Sequence, residues 1–215
     1  MKLIFDIFIS LILIIILSPI FILISILIFF ESGLPIIHKR QVHSQPNQLF
    51  HFYKFRTMHK NADKKLKILL KSDKKLQKEF NEFYKLRKDP RITRLGKLLR
   101  KSSLDELPQL FNVLFCQMSL VGPRPKTPEE LKKYFNKSSH DILFKVKPGI
   151  TCTWQISGRS DIDYSKRVEL DLNYAENRNL FIDFKILFLT IITVLQRKNI
   201  NENNQTTRSE FLGNE

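Results

Sequence analysis

Residues 7–30 read "IFISLILIIILSPIFILISILIFF", with no ionised side chain among them. A helix rises about 1.5 Å per residue, and about 20 apolar residues span the hydrocarbon core of a bilayer. The run is therefore long enough to cross. It is too long for the apolar region of a cleaved signal peptide, and no small-residue cleavage site follows. Instead Glu31, Ser32 and Gly33 lead into a basic stretch with Lys39 and Arg40. Two topologies are open. In a straight span, the positive-inside rule places the C-terminal side in the cytoplasm. However, Ser18-Pro19 falls at the middle of the run. Proline removes a backbone donor and clashes with the preceding turn, so a bend is expected, and Ser18 can hydrogen-bond the freed backbone. A sharp bend would let the helix enter and leave by the same face.

The 215 residues suffice for one domain beyond this segment. They carry 36 Lys+Arg against 21 Asp+Glu, a formal net charge of +15, almost all placed after residue 30. Such a balance implies anionic partners: phosphorylated substrates, nucleic acid or an anionic membrane surface. The two cysteines, Cys116 and Cys152, form no metal-ligand spacing and no disulfide framework, which points to a reducing compartment.

Beyond the apolar run, residues 46–58 ("PNQLFHFYKFRTM") contain a strand, paired in a hairpin with residues 34–38. Residues 62–87 form a charged amphipathic helix in which Leu69, Leu76 and Phe83 recur every seven residues. Residues 94–101 ("RLGKLLRK") are a short basic segment. Leu107, Leu110, Phe111, Leu114, Phe115 and Met118 sit at helical spacing. Residues 128–146 read as a helix and an extended piece. Residues 183–197 form a helix apolar nearly all round, too short to span and so buried or interfacial. Residues 199–215 are a polar tail.

Between these elements lies "SSLDELPQL" (102–110), where Asp105 and Glu106 are adjacent. Ser103 and Glu106 fit a capping box. Alternatively Asp105 is the N-cap, which puts Pro108 among the first orphan donors, where it costs little; the second register is the better fit and begins a helix over 106–118. The same placement suits a reactive carboxylate, with Arg94, Lys97, Arg100 and Lys101 just upstream. An ionised aspartate in that setting can bind Mg²⁺ or attack phosphorus. From the local sequence, capping and catalysis both stand. In "GPRP" (122–125), Pro123 and Pro125 hold Arg124 rigid, a form suited to bidentate phosphate recognition or simply to a solvated loop. In "KFRT" (54–57), Lys54 and Arg56 share one face of a strand.

Taken together and in order, these pieces resemble the bacterial sugar transferases, the monotopic phosphoglycosyl transferases. The resemblance runs over the Ser18-Pro19 segment, "YKFRTM" (53–58), "DPRITRLGKLLRKSSLDELPQLFNVL" (89–114), "MSLVGPRP" (118–125), "KPGIT" (147–151), "WQISGR" (154–159) and "ELDLNY" (169–174). It implies an α+β, mainly helical, membrane-monotopic protein. A re-entrant helix hairpin over 1–32, broken at Ser18-Pro19, would precede a cytoplasmic interfacial catalytic domain over 33–198, with a small β-hairpin and amphipathic interfacial helices, then the tail over 199–215. It implies transfer of a sugar-1-phosphate from a UDP-sugar to undecaprenyl phosphate with release of UMP, at the bacterial inner membrane on its cytoplasmic face. This is the first membrane step of exopolysaccharide, lipopolysaccharide or glycoconjugate assembly.

By the same resemblance Asp105 is the nucleophile and Mg²⁺ ligand and Glu106 its acidic partner. Lys54, Arg56, Arg100 and Arg124 are expected at the diphosphate and nucleotide, with Arg91 and Arg159 as weaker candidates. Membrane lipid and a homodimer are further expected partners; nucleic acid is not. Cys116 and Cys152 stand where the family usually has glycine, Cys116 at a helix end that glycine would cap in the left-handed conformation. The 62–88 insert resembles members that transfer galactose- or glucose-1-phosphate, whereas the tail "TTRSEF" resembles members that use N-acetylated sugars. Two other classes compete with this reading: a membrane glycosyltransferase releasing UDP, and a membrane-tethered polyanion binder without activity.

Overall fold

The computed structural model describes residues 2–45, 48–83, 86, 88–158 and 162–196. The polar tail and Arg159 lie outside the described residues. α1 (Lys2–Ser32) is helical throughout, with Pro19 inside it. It is long and apolar enough to cross a membrane. The break expected at Ser18-Pro19 does not divide it into two helices. Pro19 leaves the carbonyl four residues back, Ile15, without its donor, and the Ser18 hydroxyl donates to that carbonyl at 2.8 Å.

α1 lies along the rest of the protein. Phe5, Ile9, Leu13, Ile14 and Leu17 pack on a cluster of Leu110, Leu120, Val121, Tyr174 and Ile186. Further along, Ile24 and Ile28 are buried with Phe55 and Leu99. The opposite side exposes Ile4, Phe8, Leu11, Ile15, Ile22, Ile26 and Phe29. Both ends are tied to the same body. Lys2 Nζ pairs with Asp183 at 2.6 Å, and Ser119 Oγ donates to Asp6 at 2.7 Å. At the other end Arg56 Nη2 donates to Ser32 Oγ at 2.6 Å and to the Gly33 carbonyl, and Glu31 accepts from Leu95 N–H at 2.9 Å.

β1 (Ile37–Gln45) pairs antiparallel with β2 (Gln48–Phe55), Ile37 opposite Phe55 and Gln41 opposite His51. The first strand therefore runs past the expected 34–38. The expected helix over 62–87 is two: α2 (Ala62–Ser72) and α3 (Lys74–Phe83). Asp73 between them is extended, and its Oδ1 accepts from Lys75 N–H at 2.7 Å and Leu76 N–H at 3.2 Å. A side chain that caps the second helix competes with continuation of the first.

α4 (Arg94–Ser102) starts on Thr93, whose hydroxyl accepts from Gly96 N–H. It ends at Ser103, left-handed at φ 60°. Leu104–Glu106 then form one 3₁₀ turn, and α5 (Gln109–Leu114) begins after Pro108. Both capping registers are thus corrected. Ser103 closes α4 and makes no side-chain cap, and Asp105 lies inside the turn rather than at a helix start. The helix covers 109–114, not 106–118, because Cys116 turns the chain at φ 57°.

β3 (Ser119–Val121) follows, then α6 (Pro128–Tyr134) with a Thr127–Glu130 capping box, and α7 (Lys137–Leu143) capped by Asn136. The helix expected at the start of 128–146 is present as α6, and a second short helix, α7, stands in place of the expected extended piece. β4 (Gly149–Thr151) pairs in parallel with β3. α8 (Thr153–Ser157), α9 (Tyr164–Asn177) and α10 (Leu180–Gln196) complete the chain. The two short strands approach so closely that a Cβ on Gly122 would lie 2.3 Å from the Lys147 carbonyl oxygen, and one on Gly149 2.1 Å from the Gly122 nitrogen. That contact accounts for the glycines of both "GPRP" and "KPGIT". α10 exposes Phe181, Phe184, Phe188, Ile191 and Leu195, one stripe at helical spacing.

Candidate active site

Four elements converge on the acidic pair. The 3₁₀ turn presents Asp105 and Glu106, β2 presents Lys54, the loop after β3 presents Arg124, and α4 presents Arg100. Glu106 Oε1 accepts from Lys54 Nζ at 2.6 Å and from Arg124 Nη2 at 2.9 Å. Burial opposes ionisation of Glu106, but Arg124 and Lys54 outweigh it and hold the carboxyl far below its ordinary range. Arg124 is correspondingly raised by Glu106 against its own burial. Glu106 is thus a fixed anion between two cations, poorly suited to exchange protons near neutral pH.

Asp105 has a different environment one residue away. It is 7% exposed, and its nearest cation is Lys54 Nζ at 3.8 Å. Burial pushes its carboxyl above the usual aspartate range, with Lys54 opposing and Glu106 reinforcing the shift. A carboxylate that is desolvated, faced by cations but not tightly paired, keeps lone pairs for an electrophile or a cation. Two neighbouring carboxylates therefore sit in opposite electrostatic environments.

Arg100 lies in the field of Asp105 and donates through Nε to Thr57 Oγ1 at 2.9 Å. Arg124 also faces aromatic rings, 6.0 Å from the Phe52 centroid and 5.9 Å from Trp154. Lys54, Arg100, Arg124, Asp105 and Glu106 are thus brought together. Arg56 is not at this cluster: it holds the C-terminal end of α1, with no carboxylate partner among the described residues. Arg91 forms a two-pronged pair with Asp89, Nε to Oδ1 at 2.8 Å and Nη2 to Oδ2 at 2.6 Å, both side chains buried.

Sequence reasoning missed two supporting residues. Lys126, directly after "GPRP", pairs with Asp171 of α9 at 2.7 Å in a nearly dry setting. Its ammonium also lies 5.7 Å from the Phe135 ring and 5.6 Å from Tyr164. This pair anchors the Arg124 loop to α9. The sequence gives no distinct signal for it, since "ELDLNY" holds a second acid, Glu169, which pairs at the surface with Lys166 instead. Among the described residues no group of three or more potential metal ligands occurs. A hard divalent cation here would be held by one carboxylate and completed by phosphate oxygens and water, as Mg²⁺ commonly is.

The fold and site thus set one tightly paired and one loosely paired carboxylate beside Lys54, Arg124 and Arg100, on a domain that grips a long apolar helix. The chain belongs to the bacterial sugar transferase family, whose model matches residues 1–197. It is 45% identical over 193 residues to the undecaprenyl-phosphate galactose phosphotransferase of Salmonella typhimurium, covering 90% of this chain and 40% of that protein. It is 42% identical over 190 residues to the exopolysaccharide production protein ExoY of Sinorhizobium fredii, covering 88% and 83%. It is 37% identical over 192 residues to the UDP-glucose:undecaprenyl-phosphate glucose-1-phosphate transferase of Klebsiella pneumoniae, covering 86% and 38%. The chain thus spans about two fifths of the length of the Salmonella and Klebsiella relatives and most of ExoY.

Proposed function

We propose that this protein transfers a hexose-1-phosphate from a UDP-sugar to undecaprenyl phosphate and releases UMP. The observation that carries this reading is the contrast within the acidic pair: Glu106 is locked by Lys54 and Arg124, while Asp105 is buried and left without a tight partner. An oxygen of Asp105 forms a bond to the phosphorus that bears the sugar, the bond from that phosphorus to the UMP oxygen breaks, and UMP departs with the electron pair. A phosphate oxygen of the lipid then attacks the same phosphorus and releases the aspartate. Arg124 and Lys54, fixed by Glu106, and Arg100 face the charge that develops. Glu106 acts by holding these cations rather than by moving protons.

The donor set fits one Mg²⁺ on Asp105 shared with the donor's phosphates, where it would neutralise diphosphate charge. The names of the Salmonella and Klebsiella relatives favour galactose or glucose as the sugar, in line with the 62–88 insert. The membrane reading is monotopic, with both ends of α1 and the catalytic domain on the cytoplasmic face of the inner membrane. Its support is that one domain holds both Lys2 and Asp6 at one end and Glu31 to Gly33 at the other. In a straight span those ends would part to opposite faces. The exposed stripes of α1 and α10 then meet lipid.

The test is nucleotide release from protein in nanodiscs given Mg²⁺, undecaprenyl phosphate and a panel of UDP-sugars, beside Asp105→Asn. UMP from a hexose donor, lost in the variant, is expected. UDP as the product would replace this reaction by sugar-only transfer.

A further inference from the structure

β2 has β1 on one edge only, and its other edge faces α5. There a single side chain stands where a third strand would. Asn112 is 0% exposed. Its Oδ1 accepts from the backbone N–H of Tyr53 at 3.1 Å, and its Nδ2 donates to the backbone carbonyl of His51 at 2.7 Å. His51 and Tyr53 are alternate residues, whose backbone groups point to the same edge of the strand. A carboxamide carries one donor and one acceptor side by side, so Asn112 pairs with β2 as the N–H and C=O of one residue of a neighbouring strand would. Its second amide hydrogen goes to Gln117 Oε1 at 2.7 Å, which fixes which way the amide faces. The Asn112 carbonyl in turn accepts from Gln117 N–H at 2.9 Å and Met118 N–H at 3.2 Å.

The position of this clamp matters. Tyr53 precedes Lys54, whose ammonium lies on Glu106, and Asn112 belongs to the helix that follows the acidic pair. Asn112 therefore joins the strand that carries the cation to the segment that carries the anions. We infer that Asn112 is a positioning residue, whose carboxamide sets the distance of Lys54 from Asp105 and Glu106 by docking the free edge of β2 on α5. This rests on the reading of those three residues as the reaction centre. Other side chains fail for specific reasons. Aspartate offers no donor to the His51 carbonyl. Leucine leaves both partly buried backbone groups unpaired. Glutamine is one methylene too long for the same pairing.

The experiment is a double-mutant cycle in nanodiscs, read as UMP release. Asn112→Asp is isosteric and keeps only the acceptor. A displacement of about 1 Å at a reaction centre costs up to about 100-fold, so a loss of about 10- to 100-fold is expected, in kcat rather than in KM for the donor. In Lys54→Gln protein the same substitution should cost less than about twofold, because the group it positions is gone. Equal fold-losses on both backgrounds would mean a general structural role and overturn the inference. Gln117→Leu, which removes the acceptor of the second amide hydrogen, is expected to give a smaller loss with the same dependence on Lys54; it carries the test if Asn112→Asp does not fold. The cycle is also read in thermal stability, where Asn112 and Lys54 should couple whether or not the protein turns over. Absence of that coupling overturns the clamp. Loss of wild-type UMP release would instead refute the reaction reading.

Discussion

Replacing Glu106 by glutamine keeps its shape and removes one charge. Its Oε1 holds both Lys54 and Arg124, at 2.6 and 2.9 Å, and the three side chains are 17%, 21% and 24% exposed. Removing one partner of a buried ion pair costs about 3–5 kcal/mol; with this residual exposure and a surviving neutral hydrogen bond, the lower end, about 3 kcal/mol, applies. For a chain of this size about 1 kcal/mol shifts the melting temperature by roughly 2–4 °C, so Glu106→Gln should melt roughly 6–12 °C lower. Differential scanning fluorimetry in a mild detergent measures this, beside UMP release. The pH dependence has a definite sign. The folded carboxyl lies below its unfolded value, so its stabilisation is present above the ordinary glutamate range and is lost as pH falls through the folded value. The gap between wild type and variant should therefore be constant from neutral pH down to about 5 and close only below about 4. A variant that melts with the wild type at pH 7 while losing turnover would refute the electrostatic role. It would return Glu106 to proton handling.

Lys126→Met leaves Asp171, 1% exposed, without its cation. A loss of about 3 kcal/mol is expected by chemical denaturation, and Lys126→Met combined with Asp171→Leu should recover most of it. Cys116 holds φ 57° after α5. Cys116→Gly should raise the unfolding free energy by about 0.5–1 kcal/mol with no change in UMP release, because glycine enters the left-handed region without a Cβ penalty.

Features carried by neighbouring residues are legible in the sequence. The length and apolarity of α1 and the strand around "FHFYKF" depend on near neighbours and on helix or strand spacing, whereas the left-handed turn at Cys116 is signalled only by the family resemblance and the basic segment 94–101 carries no assignment as a helix. Legibility ends where two local rules compete. Ser103 and Asp105 each offer a helix start, yet the helix begins after Pro108 because Ser103 already closes α4. Likewise the seven-residue repeat of Leu69, Leu76 and Phe83 argues for one helix, but the Asp73 side chain caps a second.

The residues themselves determined that a long apolar helix precedes a basic domain, and that two adjacent carboxylates lie near several cations. They could not distinguish Asp105 from Glu106, since both are acids at consecutive positions. Only the tertiary structure separated them, by carrying Lys54 from 52 residues upstream and Arg124 from 18 residues downstream onto one oxygen of Glu106. It also took Arg56 away from this cluster to the end of α1 and brought Asp171 across 45 residues to Lys126. Such pairings depend on burial and on long-range contact, where removal of water strengthens a 2.6 Å ion pair and raises the cost of ionising a loosely paired carboxylate. Neither quantity is a property of local sequence.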